Sequence, residues 1–526
     1  MNTKSFLMIA IVTVILLIVV PMNSYAGSFE EKFEWVKQTF EENDAGVPHI
    51  LERRGQAAYE AHNRMILERI RAVESMDEFL DISREWMRFF RKSHHQIQPN
   101  PFRATTSDVL EVEQEALTVH GFWDGDIAQF MEYVNKLDDK TSYEGIWDIS
   151  GLYKVGIVRE GDSYIGFIIE SVYEDWLPNM IKLRIDIDGD DVVSTFYIRD
   201  FTPEVSRAPL VIGNNLMLMG SRNNRDMKRL QPVYQDDPLI ESHIRFLFAT
   251  EPYFERLNEN TLYFRLPLFV TDTTYLDRII EENISTITST ENLIIDLRNN
   301  WGGESAFPLF EYLYTNPITN ISQDKFYATE KNIQWIYEIT QETGFYWDLV
   351  KMTAPDFIDD LKQHAIKIYE QVKNRVGEFV ELSYVTSIGD KEMQIGMGPK
   401  TFDKIYQYPR NVGIIANRGT ASAAEGYIIA AKQSSKVKVF GEPTSGVIDT
   451  FHLAGGSFFE SPCGEVWIHY SNAVSGHVPG MIFDDIGIQP DFLIDSSVPA
   501  YRWVEHVTEI MNSWVTEPES RRRRRR

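Results

Sequence analysis

Two stretches of this 526-residue chain hold residues that can do chemistry when a turn presents them. The first is Val412-Gly-Ile-Ile-Ala-Asn-Arg-Gly-Thr-Ala-Ser-Ala-Ala-Glu-Gly426. Its apolar run Val412 to Ala416 reads as a buried strand, and Ser422 falls where a helix begins. A hydroxyl there is held on a sharp turn, while the free N–H groups of the first helical turn face any developing oxyanion. Thr420, Ala421, Ala423 and Ala424 are small enough to let a substrate backbone approach. Such a serine is either a nucleophile or a helix cap, and capping is the commoner task. The second stretch, Leu293-Ile-Ile-Asp-Leu-Arg-Asn-Asn-Trp-Gly-Gly303, is a buried strand ending in a polar turn. Paired glycines at the C-terminal edge of a parallel sheet leave backbone N–H groups open to a ligand.

A serine hydroxyl is a poor nucleophile at neutral pH unless a neighbouring base takes its proton. Histidine titrates in the right range, and an acid partner fixes its tautomer. The chain has 11 histidines, too many for composition to choose among, with His469 and His477 following Ser422. Its single cysteine, Cys463, lies in a turn-like Ser-Pro-Cys-Gly and is read as structural. One cysteine excludes an intrachain disulfide, a cysteine-based zinc site and a CxxC redox pair. With no HExxH and no tight cluster of histidines and carboxylates, neither metal nor cofactor is expected.

The length implies two or three domains. Residues 1–26 read as a secretory signal peptide: Lys4, the apolar run Phe6 to Val20, then Ser24-Tyr25-Ala26 as a small-x-small cleavage site. The expectation is therefore an exported protein, periplasmic or extracellular, with no stable membrane insertion after cleavage. Residues 27–115 show helical periodicity: Phe29, Phe33, Val36 and Phe40, then Phe79, Ile82, Trp86 and Phe89, in a bundle ending at His94-His95. Residues 116–235 are β-rich, with short strands between turns such as Asp186 to Asp191, and predict a meander or a small lipocalin-like barrel. Residues 236–515 alternate strand and helix, as a largely parallel sheet covered by helices would. Within them Phe307 to Tyr314 reads as a helix, and Phe326 to Val385 as a mixed helical insertion. Residues 516–526 end in six arginines and read as a disordered basic tail. The net charge of -26 makes the body a poor surface for nucleic acid.

Taken together, several segments resemble the ordered signature of the tail-specific (C-terminal processing) and tricorn-core serine peptidases. They are Tyr263-Phe-Arg-Leu-Pro-Leu-Phe269, Asp296-Leu-Arg-Asn-Asn-Trp-Gly-Gly303, Gly419-Thr-Ala-Ser-Ala-Ala-Glu425, Gly441-Glu-Pro-Thr-Ser-Gly446 and Asp484-Asp-Ile-Gly-Ile-Gln-Pro-Asp491. The resemblance implies a multidomain α/β chain with a crotonase/ClpP-like core, and a peptide or unfolded-protein substrate. The processing branch places a dyad lysine where this chain has Val447, and no PDZ pattern precedes the core. The chain therefore looks like the tricorn-core branch, which takes a histidine base from the N-terminal helical part. That implies Ser422 as nucleophile, His94 as base beside Ser93, and Asp484 at the position where the family usually has Glu. His95 is the alternative base if the register differs by one. The oxyanion hole would combine the N–H of Ala423 with that of Gly302 or Gly303. Asp296 and Arg298 are expected to pin the loop beneath the site, and Glu425 either to orient another group or to cap the helix.

Other readings use the same residues. Retinoid-binding relatives share the fold, so a binding protein for an apolar ligand or peptide is the main alternative. A crotonase-type acyl-CoA enzyme would share the glycine-lined oxyanion hole without needing the serine. Oligomeric state is left open.

Overall fold

In the computed structural model, the strand Asn411–Ala416 runs parallel between Asn292–Asp296 and Val437–Gly441. The structure describes residues 27–516 apart from 101–120, 139–141, 190, 200, 208, 220–225, 270–273, 304–307, 320–323, 345–346, 348–350, 352–357, 389–390, 397 and 456. The expected signal peptide and the arginine tail lie outside the described residues. The full core sheet has six strands in the order Tyr253–Asn258, Thr261–Arg265, Asn292–Asp296, Asn411–Ala416, Val437–Gly441, Phe492–Leu493. Only the first is antiparallel to its neighbour. Side chains alternate across a strand, and here both faces are covered. Leu293 and Ile295 pack beneath Tyr427 and Ile428 of the helix Ala423–Ala431, while Ile294 and Ile415 meet Met511 of the helix Trp503–Thr516. Strands buried on both faces explain the unbroken apolar runs in the sequence.

The N-terminal helices Phe29–Asn43, Val47–Arg54, Gln56–Ile70 and Met76–Met87 turn Phe33, Val36, Phe40, Phe79, Ile82 and Trp86 inward. Ser28 starts the first of them with a capping box to Glu31. The bundle does not close on itself. The last helix ends at Met87, earlier than its periodicity suggests, and His95–Pro99 is a strand paired antiparallel with Val466–Tyr470. Val466, Ile468 and Tyr470 lie in the same apolar core as the helices, so the helical region and residues of the α/β half are packed as one.

The β-rich region is a nine-stranded antiparallel sheet running from Pro203–Arg207 at one edge to Leu210–Ile212 at the other. It curls into a half-barrel, and no ladder joins its edge strands among the described residues, so the lipocalin-like closed barrel is corrected to an open sheet. Asp188 pairs with Asp191 across an ordinary hairpin. Lys182 lies buried in this sheet's core, its Nζ 3.6 Å from the Trp176 ring centre and 3.7 Å from that of Tyr153.

The expected helix at Phe307 to Tyr314 shrinks to the single turn Phe310–Leu313, because Leu309 just before it adopts φ 68°. The insertion holds the helices Glu330–Thr340 and Ile358–Val372 on a core of its own, including Phe326, Trp335, Ile336, Ile368 and Val380. Among the described residues no helix is long and apolar enough to cross a membrane.

A buried ion pair lies within the helical region: the Arg91 guanidinium donates to both carboxylate oxygens of Asp44, at 2.8 and 2.5 Å, both side chains are inaccessible, and each also bonds Ser471 of the later chain. Asp44→Ala would strand a buried cation, and denaturant unfolding should show a loss of about 3–5 kcal/mol. Removing the exposed Arg69–Glu85 pair by Arg69→Ala should cost no more than about 1 kcal/mol; equal losses for the two would contradict this account.

Candidate active site

Ser422 sits between the strand Asn411–Ala416 and the helix Ala423–Ala431, as its sequence context suggests. Its backbone has φ 54° and ψ -122°, the mirror image of an extended residue, which costs a side-chain-bearing residue about 1–3 kcal/mol. The surrounding turn is bolted down to hold that conformation. Thr420 Oγ1 donates to the Leu297 carbonyl at 2.9 Å, Ala421 N–H donates to that of Asn300 at 2.9 Å, and the Asn417 and Asn299 amides bond at 2.8 Å. Ser422 is half-buried and so remains reachable.

Gly302 lies directly against the serine. A Cβ on it would come 2.8 Å from Ser422 Cβ and 3.0 Å from Ala423 N, and its φ of 106° already favours glycine. Its own N–H is taken by Asn300 Oδ1 at 3.0 Å. Gly303, at φ 115°, is packed so tightly on Phe269 that a Cβ would lie 2.0 Å from the Phe269 carbonyl oxygen. Ala423 opens the helix, so its N–H has no carbonyl one turn behind it. Of the three groups expected to bind an oxyanion, Ala423 and Gly303 have N–H groups that bond no described residue, whereas Gly302 chiefly provides space.

Beneath this loop Asp296 and Arg298 form a buried pair at 2.6 Å, and Tyr263 Oη adds a hydrogen bond to the carboxylate at 2.9 Å. Burial alone would raise the Asp296 pKa, but the Arg298 charge and hydrogen bonds hold it below the ordinary carboxylate range.

Glu425 has a larger part than a surface cap. Its buried carboxylate accepts from Thr444 Oγ1 at 2.5 Å, Gly446 N–H at 2.8 Å, Val447 N–H at 2.9 Å and Ser422 N–H at 3.0 Å. It thereby ties the serine's backbone to the segment that continues into Ile448, Asp449 and Thr450. Burial still pushes its pKa up, against the pull of those donors.

The histidine segment meets that same stretch. His94 Nδ1–H donates to the Thr450 carbonyl at 2.5 Å. A carbonyl only accepts, so this bond selects the tautomer that leaves Nε2 with its lone pair. His94 has φ 59°, and its carbonyl is held by Arg91 at 3.0 Å and by Ser471 Oγ at 3.1 Å. Burial and the neighbouring Arg91 charge lower its pKa to about 4. His95 turns the other way: its Nε2 bonds the Arg91 carbonyl at 2.7 Å and its ring stands edge-on to Phe40. Ser93 is placed through its carbonyl, which accepts from Arg91 Nε at 3.0 Å.

Asp484 makes no described hydrogen bond to the His94 ring. Its carboxylate accepts from Ile448 N–H at 2.8 Å and Asp449 N–H at 2.9 Å. Asp449 returns the arrangement, accepting from Asp484 N–H at 2.8 Å, and bonds His477 Nε2 at 2.8 Å. Burial beside the Asp449 charge pushes Asp484 up to about 7. This reciprocal lock holds residues 448–450, and with them the carbonyl that orients His94. Sequence reasoning missed Arg91, Asp449 and the Thr450 carbonyl. Glu425 was visible as the third residue after a serine at a helix start, the capping-box spacing; a backbone carbonyl leaves no sequence signal.

Residues 260–494, somewhat less than half of the chain, match the model of peptidase family S41. No curated protein matches the sequence. Among solved structures, mature CPAF complexed with lactacystin is 12% identical, covering 92% of this chain and 98% of its own, with a TM-score of 0.43. A lipoprotein from Streptococcus agalactiae is 13% identical, with coverages of 93% and 99% and a TM-score of 0.35. The photosystem II D1 C-terminal processing protease is 13% identical, with coverages of 92% and 98% and a TM-score of 0.34.

Two measurements test the geometry. Glycine accepts the backbone angles of Ser422 without strain, so Ser422→Gly should be more stable than Ser422→Ala by about 1 kcal/mol in denaturant unfolding; the reverse order would deny the strain. The His94 imidazole, followed by nitrogen NMR, should be the neutral Nδ1–H tautomer at pH 6 and gain its second proton near pH 4. Since the folded pKa lies below the unfolded one, this group's contribution to stability is complete above about pH 6.5 and is lost as pH falls through about 4. A folded-state midpoint near 6.5 would contradict the burial described.

Proposed function

We propose that the protein, whose residues 260–494 match peptidase family S41, is a serine-type peptidase that works through a Ser422 acyl-enzyme with His94 as base. The observation that carries this reading is Ser422 itself, held at φ 54° on a strand-to-helix turn, with Gly302 pressed against it and the Ala423 N–H pointing from the helix start. A serine whose only task was capping would gain nothing from that conformation.

In the proposed reaction His94 Nε2 takes the Ser422 hydroxyl proton as Oγ bonds the scissile carbonyl carbon. The resulting oxyanion receives hydrogen bonds from Ala423 N–H and Gly303 N–H, a contribution of about 10²–10³ in rate per donor in such sites. Collapse breaks the C–N bond, and His94 returns the proton to the departing amine. Water then attacks the ester, giving a proton to His94, and the acid product leaves as Ser422 regains its hydrogen. Asp484 acts here as a positioning residue, since it bonds the backbone that carries the Thr450 carbonyl and not the imidazole. The histidine base and the absence of a lysine at Val447 favour the tricorn-like, His-base branch over the Ser-Lys processing branch. Peptides or unfolded proteins are the substrates, and the acidic body disfavours nucleic acid. Residues 1–26 support export, with the mature enzyme acting in the periplasm or outside the cell.

Hydrolysis of casein by the purified chain, with Ser422→Ala and His94→Ala alongside, tests the assignment. Both variants should stay folded and lose activity by several orders of magnitude, as removal of a nucleophile or its base does. Activity surviving in Ser422→Ala would end the acyl-enzyme reading, and activity surviving only in His94→Ala would move the base elsewhere.

A further inference from the structure

The base does not sit alone. The His452 ring packs against the His94 ring with centroids 5.3 Å apart and planes at 72°, and stacks on His469 at 4.0 Å and 23°. Three half-buried imidazoles therefore form a row. His469 belongs to the strand Val466–Tyr470, which pairs with the strand opening at His95. His452 follows Thr450–Phe451, directly after the carbonyl that holds His94. His452 Nδ1 in turn bonds the Tyr470 carbonyl at 3.2 Å. Burial, together with His469, His94 and Arg91 nearby, keeps the His452 ring neutral far below the ordinary histidine range.

One hydrogen bond through Nδ1 holds the His94 ring at a single atom. The last side-chain torsion of histidine is broad and soft, so the ring's orientation rests on that one bond and on what packs against its faces. The flat, uncharged His452 ring set across it adds a second restraint on that orientation, and His469 stacks on the His452 ring. We propose that His452 is a positioning residue for the base: its planar ring fixes the plane of the His94 imidazole so that Nε2 is aimed at the Ser422 hydroxyl. This rests on the assignment of His94 as base.

The test replaces His452 in the full chain with Phe, which keeps a flat ring, and with Leu, which keeps apolar bulk without one. Three quantities are read: kcat and KM on a peptide substrate, the rate at which a fluorophosphonate labels Ser422, and the melting temperature. A residue that only fills space predicts the same behaviour from both variants. The positioning role predicts that His452→Phe recovers most of the wild-type kcat. In His452→Leu kcat and the labelling rate should fall together by about 10- to 100-fold, with KM little changed, as expected for a misaimed group. Should the Leu protein fail to fold, His452→Met is the second ringless variant and the same fall is expected of it. Wild-type kcat in a folded ringless variant, or an equal fall in the Phe protein, overturns the inference. Wild-type labelling in His94→Ala overturns the base assignment and this inference with it. Loss in His94→Ala beside full activity in His452→Leu overturns this inference alone.

Discussion

The candidate site depends on a buried charge pair made by residues 47 positions apart in sequence, Arg91 and Asp44. Taking both ions out of water is expensive, and further hydrogen bonds to each of them offset that cost. Arg91 spends its other donors on the carbonyls of Ser93 and His94 and on Ser471 Oγ. Asp44 also accepts from the N–H groups of Gly46 and Ser471. The result is a polar knot inside an aromatic core of Phe40, Trp86 and Phe90. It forces the chain into the left-handed turn at His94 and presses the N-terminal region onto the strand Val466–Tyr470. If His94 is the base proposed above, it comes from a different part of the chain than Ser422 and needs such a clamp, because no shared element sets the distance between them.

A second buried carboxylate performs the matching task on the other side. Glu425 accepts four hydrogen bonds, one from the backbone of Ser422 and two from Gly446 and Val447. The segment leaving Val447 is then caught by Asp484 and Asp449, and ends in the carbonyl that His94 bonds. The two halves thus communicate through residues 446–450. That stretch adds only a two-residue strand, so its precision comes from side-chain carboxylates bonding backbone N–H groups. Charge-assisted bonds of this kind are short and directional, which suits a loop that must behave as rigidly as a sheet.

How much of this was legible in the sequence follows from range. The buried strands Leu293 to Leu297 and Val412 to Ala416, the nucleophile turn and the glycine pair are local patterns, and each appears where the residues suggested. The Asp296–Arg298 pin was legible for the same reason, being two residues apart. Features that depend on distant partners were not. His95 opens a strand because Val466–Tyr470 offers it a ladder, not because of its own neighbours. The open edge of the nine-stranded sheet and the single-turn helix at Phe310 likewise reflect tertiary context overriding periodicity. Asp484 stood out by its position before Gly487, yet its contact is with backbone, which no residue pattern encodes.

That last point alters how the base would work. In a serine–histidine–carboxylate triad the acid does two things: it selects the tautomer and it stabilises the imidazolium formed during attack. A backbone carbonyl performs the first task fully, since it can only accept the Nδ1 proton. It performs the second weakly, because it carries a partial charge where a carboxylate carries a whole one. Burial and the Arg91 charge work further against the imidazolium, consistent with a pKa near 4. Such a histidine is neutral and ready at any ordinary pH, but it is a reluctant proton acceptor. The deficit has to be met at the moment of attack, and the available source is the oxyanion itself. As the tetrahedral centre forms, its negative charge arises next to the new imidazolium in a site from which substrate has displaced water, where opposite charges attract most strongly. On the proposed reading the aim of Nε2 and the donors at Ala423 and Gly303 act together: the proton moves readily only as the oxyanion forms and is held.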